Sequence, residues 1–301
     1  MNTAGLLLVD KPSDWTSHDV VAKVRGLAGT RRVGHAGTLD PMATGLLILG
    51  LNAATKLLTF LVGEDKTYLA TIRLGANTIT DDREGDALQL ADPAAVRAIT
   101  PQQIETVLQT LRGPIQQVPS SVSAIKVDGK RAYAKVRSGD EVKLAARPVT
   151  IHAFTVNGQP RLQDDGQFLD IDVTVQCSSG TYIRALARDL GAALGVGGHL
   201  TALRRTHIGR YSVEQAVPLA NLVAGQLPVL DAAAAAAQQF EVRPLSEQDV
   251  IDLRHGKRIS ALDNKTKQVL AGIDEQGQLI ALLERSGSQL KSVVVFAAQE
   301  Q

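Results

Sequence analysis

Between two apolar runs, Gly5–Asp10 (GLLLVD) and Leu46–Leu51 (LLILGL), lies a segment that can be neither helix nor strand: Gly34–Gly45, GHAGTLDPMATG. Apolar runs without alternation read as strands buried on both faces. The Gly- and Thr-rich segment must then be a loop fastened to interior strands. Asp-Pro at its centre is ordinary turn chemistry by itself. A single acid, Asp40, held in such a loop is also a way to keep one carboxylate in a fixed place.

The rest of the chain alternates between helical and extended patterns. Ser17 begins a cap-like stretch, and Val20, Val21 and Val24 give helical spacing up to Gly26. Helices are predicted at Ala53–Val62, Pro101–Leu111 and Tyr182–Leu194, and strands at Thr67–Leu74, Val149–Thr155 and Phe168–Gln176. Asp81–Asp92 reads as an acidic turn region. Ala232–Ala237 is an unbroken alanine run, expected as a short solvent-facing helix at a domain junction. The tail after it has short β-like runs and one helix, Val250–His255, behind the capping-box pattern Ser246–Asp249.

Charge and cysteine content exclude several classes. With 32 Lys+Arg against 31 Asp+Glu the net charge is +1, so a nucleic-acid footprint has to be local. It is concentrated in Lys126–Arg147, where seven Lys/Arg face three acids. The lone Cys177 cannot form an intrachain disulfide or a Cys-rich zinc site. The six histidines have no metal-ligand spacing, so no metal is expected. Gly34–Gly45 lacks the Gly-Lys-Ser/Thr ending of a phosphate loop, and Gly195–Gly198 follows a helix instead of a strand. The first residues lack both the length of a membrane span and the basic start of a signal peptide, so the expectation is a cytoplasmic protein.

Gly34–Leu47 closely resembles the catalytic motif of the TruB family, the tRNA pseudouridine-55 synthases. Other resemblances to that family follow in order: Lys11–Ser17 (KPSDWTS), Lys66–Tyr68 (KTY) with Leu74-Gly75, Ser179–Arg184 (SGTYIR) with Asp189–Gly191 (DLG), and Leu203–Arg205 (LRR) with Gly209. Asp14 stands where the family usually has glycine, and Ile79 where an acid is common. The resemblance implies an α+β fold: a catalytic domain over residues 1–230 on a central, mostly antiparallel sheet, then a small PUA-like β-barrel over 240–301. It also implies isomerisation of uridine 55 in the T-loop of tRNA. The enzyme would act without a cofactor, as a monomer with no obligate protein partner.

That reaction breaks the N1–C1′ bond, turns the uracil and forms a C5–C1′ bond, with no redox change. On the resemblance, Asp40 is the essential carboxylate, Arg184 its cationic neighbour, and Tyr68 a stacking ring with a hydroxyl near C5. Tyr182 and Leu203 would line the pocket. A uridine stacked in an RNA loop must be flipped out to be reached, and the resemblance gives His35 an RNA-contacting role there. Lys130, Arg131, Lys135 and Arg137 in the basic arm, with Lys56 and the pair Arg204 and Arg205, are candidate phosphate contacts, and Asp82 matches a family acid near the tyrosine or the arginine. A non-catalytic RNA-binding or tRNA-folding protein remains the alternative, sharing the basic arm and the barrel but needing no acid in the loop.

Overall fold

The computed structural model describes residues 4–120, 126–127, 130–131, 144–261 and 268–296. It is an α+β structure that divides into two compact units. The first gathers Met1–Pro41, Gly45–Val62 and Gly209–Gln301, and the second Met42–Thr44 and Gly63–Ile208. Among the described residues no helix is long and apolar enough to cross a membrane.

In the first unit the Gly5–Lys11 strand pairs antiparallel with Thr44–Leu51, in register from Gly5↔Leu51 to Lys11↔Gly45. Leu46, Leu47, Ile48 and Leu49 are all fully buried, which is why that run is apolar without alternation. The Ser17–Ala28 helix starts at a Thr16–Asp19 capping box. Its Val20, Val21 and Val24 pack with Leu7, Val9, Leu47 and Leu49. Valines are mediocre helix formers, so this packing holds the helix in place of propensity.

The C-terminal part of this unit holds a five-stranded sheet in the order Glu241–Leu245, Leu270–Asp274, Leu279–Ser286, Gln289–Val295, Ile259–Ser260. It curls around Leu245, Leu253, Ile280 and Leu283 as a half-barrel. The Ser246–Asp249 capping box is present, and its helix runs Glu247–Arg254. The alanine run departs from expectation. It forms the Ala232–Gln239 helix, but Ala232, Ala233, Ala235 and Ala236 are buried. Methyl side chains let its backbone approach closely enough for the buried Tyr211 hydroxyl to donate to the Ala235 carbonyl at 2.7 Å.

The second unit is an antiparallel sheet ordered Gly198–Ile208, Lys66–Leu74, Phe168–Cys177, Arg147–Val156, Gly113–Gln117. The Ile183–Ala193 helix lies directly on its first strand. A Cβ on Gly198 would stand 2.5 Å from the Ala187 carbonyl oxygen, so the helix and strand can touch only through glycine. Two local predictions need correction. Asn52–Val62 begins as a 3-10 turn over Asn52–Leu57 before the α-helix Leu58–Val62. The acidic region contains a strand, Ala87–Leu90, paired with Ala76–Thr78. All four residues of Ala87–Leu90 are exposed, so no burial pattern marked it in the sequence.

Candidate active site

Asp40 lies half-buried in the first unit, in the loop between the Val33–His35 and Thr44–Leu51 strands. The chain turns there through Gly37, whose φ of 95° is left-handed. The loop is then anchored on both sides of the acid. Before it, Ser17 Oγ donates to the Leu39 carbonyl at 3.1 Å and accepts from the Leu39 amide at 2.9 Å. After it, the Pro41 carbonyl accepts from the Asp14 amide at 2.9 Å and from Lys11 Nζ at 3.1 Å.

Lys11 is fully buried. Its ammonium also donates to the carbonyls of Pro12 at 2.9 Å and Trp15 at 2.6 Å. An ammonium has three N–H donors and here meets three carbonyls, which makes its burial tolerable. The Lys11–Ser17 segment thus acts as the clamp for the Asp40 loop. The roles of Lys11 and Ser17 were not read from the sequence, although both lie in its opening motif.

His35 ends its strand opposite Leu49, its ring edge-on to His18 at 5.8 Å. Lys56, a candidate phosphate contact, donates to the Val295 carbonyl at 2.7 Å and sits 5.7 Å from the Phe296 ring centre. In this structure its ammonium holds the end of the C-terminal sheet.

The second unit carries Tyr68, Tyr182, Arg184 and Leu203. Tyr68 is buried on the Lys66–Leu74 strand opposite Arg205, and its neighbour pair one step on, Ala70↔Leu203, puts Leu203 on the same face. Arg204 points to the other face, where Nη1 donates to the Thr44 hydroxyl at 3.5 Å. Arg205, which with Arg204 makes a candidate pair of phosphate contacts in the sequence, is nearly fully buried on the face it shares with Tyr68 and Leu203.

Tyr182 precedes the Ile183–Ala193 helix. Its amide donates to Gln117 Oε1 at 2.8 Å and its carbonyl accepts from Gln117 Nε2 at 3.0 Å. The buried Gln117 therefore fixes where the helix begins, and nothing in the sequence marked it. Arg184 is buried and reaches the Thr78–Asp82 turn: Nη1 donates to the Thr80 carbonyl at 2.7 Å and lies 3.4 Å from Asp82 Oδ2. Asp82 also accepts from the Thr80 hydroxyl at 2.5 Å and the Glu84 amide at 3.0 Å. The family acid thus pairs with the arginine.

Of the basic arm, Lys126–Val127 and Lys130–Arg131 form a short antiparallel pair. Lys135 and Arg137 lie outside the described residues. Among the described residues no group of three or more His, Cys, Asp or Glu is placed to hold a metal ion.

Comparison with known proteins matches three family models. Residues 25–183 match the TruB family pseudouridylate synthase N-terminal domain. Residues 184–244 match the tRNA pseudouridylate synthase B C-terminal domain, and 240–297 match the tRNA pseudouridine synthase II C-terminal domain. The chain is 58% identical to a tRNA pseudouridine synthase B of Paenarthrobacter aurescens, covering 98% of this chain and 95% of that one. It is 55% identical to one of Leifsonia xyli, covering 99% and 98%. Among solved structures, a chain of a Cbf5-Nop10-Gar1 complex shares the fold with a TM-score of 0.71 at 23% identity, covering 99% of this chain and 87% of that one. The identities over nearly the whole length, together with the family models, establish that this chain belongs to the TruB family of pseudouridine synthases.

Proposed function

We propose that this protein isomerises uridine 55 in the T-loop of tRNA to pseudouridine, with Asp40 as the essential carboxylate. The observation that carries the reading is the double anchoring of the Asp40 loop by Ser17 and the buried Lys11. A turn that only had to reverse the chain would not need a buried ammonium. The similarity to tRNA pseudouridine synthases B supports the substrate class.

In this reading the flipped uridine stacks against Tyr68, with Leu203 and Tyr182 as further walls. On this reading the Tyr68 hydroxyl takes the C5 proton once the C5–C1′ bond has formed. Arg184 supplies positive charge that favours ionised carboxylates. Its own position is set by Asp82 and the Thr80 carbonyl. His35 contacts the RNA beside the flipped nucleotide, and the basic residues Lys130, Arg131, Lys135, Arg137 and Arg204 contact phosphates. Lys56 would have to leave the Val295 carbonyl to do so. Residues 1–230 carry the chemistry and 240–301 an RNA-binding module, in a monomeric enzyme of the cytoplasm.

The test is incubation with unmodified tRNA tritiated at C5 of uridine, reading tritium release and mapping the modified position. Asp40→Asn should abolish release while tRNA binding persists, since an amide keeps the shape and loses the charge. Binding without release by the parent protein would favour the tRNA-folding alternative. Release mapped elsewhere would move the substrate.

A further inference from the structure

The Ile183–Ala193 helix grips the Thr80–Asp82 turn at two points. Arg184 holds Asp82, and one helical turn later Arg188 holds Asp81, with Nη1 3.3 Å from Oδ2. The second grip has no part in the reaction described above. Asp81 is mostly buried and sits at a φ of 59°, a left-handed backbone that costs a side-chain-bearing residue energy. A turn in that conformation persists only where its surroundings over-determine it. Here they are the Arg188 guanidinium, the buried Ser120 side chain that lies against the Asp81 carboxylate, and the Leu200 amide donating to the Asp81 carbonyl at 3.1 Å.

Arg188 has two further contacts. Nη2 donates to the Val118 carbonyl at 2.7 Å, and Nε donates to Asp189 Oδ1 at 2.9 Å. Val118 directly follows Gln117, whose side chain holds the Tyr182 backbone in both directions. One guanidinium therefore spans the acidic turn that aims Arg184 and the strand end that fixes Tyr182. Its planar fork holds these acceptors in a fixed, spread-out geometry that the compact ammonium of a lysine does not reproduce.

We infer that Arg188, through Asp81 and the Val118 carbonyl, is a positioning residue that sets the placement of Arg184 and Tyr182 for the isomerisation. The inference rests on the proposed roles of those two residues. Arg188 touches neither of them; it acts through the turn and the strand end.

The test is single-turnover kinetics with T-arm tRNA on the full-length protein, comparing the parent, Arg188→Ala, Arg188→Lys, Asp81→Asn and the Arg188→Ala/Asp81→Asn double variant. Melting curves ensure that each variant is folded at the assay temperature. Arg188→Ala should lower the rate at saturating RNA about tenfold, with the binding constant within about twofold of the parent. Arg188→Lys should recover part of the rate. The double variant should be no slower than its slower parent, because both changes break one pair. Rates that multiply in the double variant, a change confined to binding, or a parent-like Arg188→Ala would each overturn the inference. If Arg188→Ala cannot fold, Arg188→Lys and Asp81→Asn carry the same comparison. Arg184→Lys, measured alongside, separates the two levels. A slow Arg184→Lys with a parent-like Arg188→Ala removes only the positioning role, whereas a parent-like Arg184→Lys removes the reading on which it rests.

Discussion

The Asp82 carboxylate lies 3.4 Å from the Arg184 guanidinium, with side-chain exposures of only 3% and 6%. Two charges taken that far from water gain little net stability as a pair, but removing one strips the other of the opposite charge it is buried against. Without Asp82, Arg184 keeps the Thr80 carbonyl as an acceptor and feels the Asp81 charge, but loses its buried ion-pair partner.

Asp82→Ala should therefore cost about 3 kcal/mol of unfolding free energy. It also removes the acceptor for the Thr80 hydroxyl and the Glu84 amide. Asp82→Asn should cost less, because an amide oxygen still accepts from both. Urea unfolding of the two variants checks the order. An Asp82→Ala variant as stable as the parent would show that the pair is not a buried charge pair in solution.

Lys11 offers a second case of a buried charge, one that donates to three backbone carbonyls. Lys11→Met keeps the length of the side chain and withdraws all three donors, leaving the Pro12, Trp15 and Pro41 carbonyls to find others. The expected loss is about 3 kcal/mol, with turnover falling further than RNA binding because the Pro41 carbonyl adjoins Asp40. Lys11→Arg should not rescue it, since a wider guanidinium does not fit a fully buried site. Chemical denaturation and tritium release on the two variants decide it. Full activity in Lys11→Met would make the loop independent of its clamp.

Apolar pattern and turn chemistry made much of this architecture legible. The buried Leu46–Leu51 run, the alternating strand from Phe168, the helical spacing from Pro101 and the capping box at Ser246 all express local rules that one sequence carries. Of the candidate site, the Asp40 loop and the Tyr68 and Arg184 motifs stood out through the family resemblance. What stayed hidden depends on contacts far apart in sequence. Gln117 holds Tyr182 across 65 residues, and Arg188 meets Asp81 across 107, neither pairing marked by any local pattern. The alanine run misled because a small side chain suits both open solvent and the tightest packing, and only the Tyr211 contact distinguishes the two.

Asp14 tests a departure from the family pattern. Its φ of 64° is left-handed, the region where glycine carries no penalty and where Asp is among the better-tolerated alternatives. Its side chain accepts from the Ser13 hydroxyl at 3.0 Å, and its amide holds the Pro41 carbonyl at 2.9 Å. Restoring glycine should leave stability within about 0.5 kcal/mol, while β-branched Asp14→Val should cost about 1–2 kcal/mol through strain alone. Equal stability of the Gly and Val variants would show that the left-handed turn is not maintained.

Lys66 makes a prediction about pH. It begins the Lys66–Leu74 strand, is 7% exposed, and donates to the Glu64 carbonyl at 2.6 Å. Burial, reinforced by the nearby Arg205 charge, pushes its ammonium down from 10.5 to about 8. Between those values the unfolded chain holds a proton that the folded chain has released, so stability rises with pH over that window. The full gain is at most about 3 kcal/mol at 1.36 kcal/mol per unit. Its cross-strand neighbour Cys177 works in the opposite sense. Burial pushes that thiol up from 9.0 to about 11, so the folded chain keeps a proton the unfolded chain loses, and stability falls from about pH 9 upward. The parent curve alone would therefore rise only over a narrow span and then flatten. Subtracting the curve of Lys66→Met isolates the lysine: the parent should gain on the variant steadily from about pH 8 to 10.5. Urea unfolding at intervals from pH 7 to 10.5 measures the difference, and parallel curves across that span would place the ammonium in water instead of in the strand's buried face.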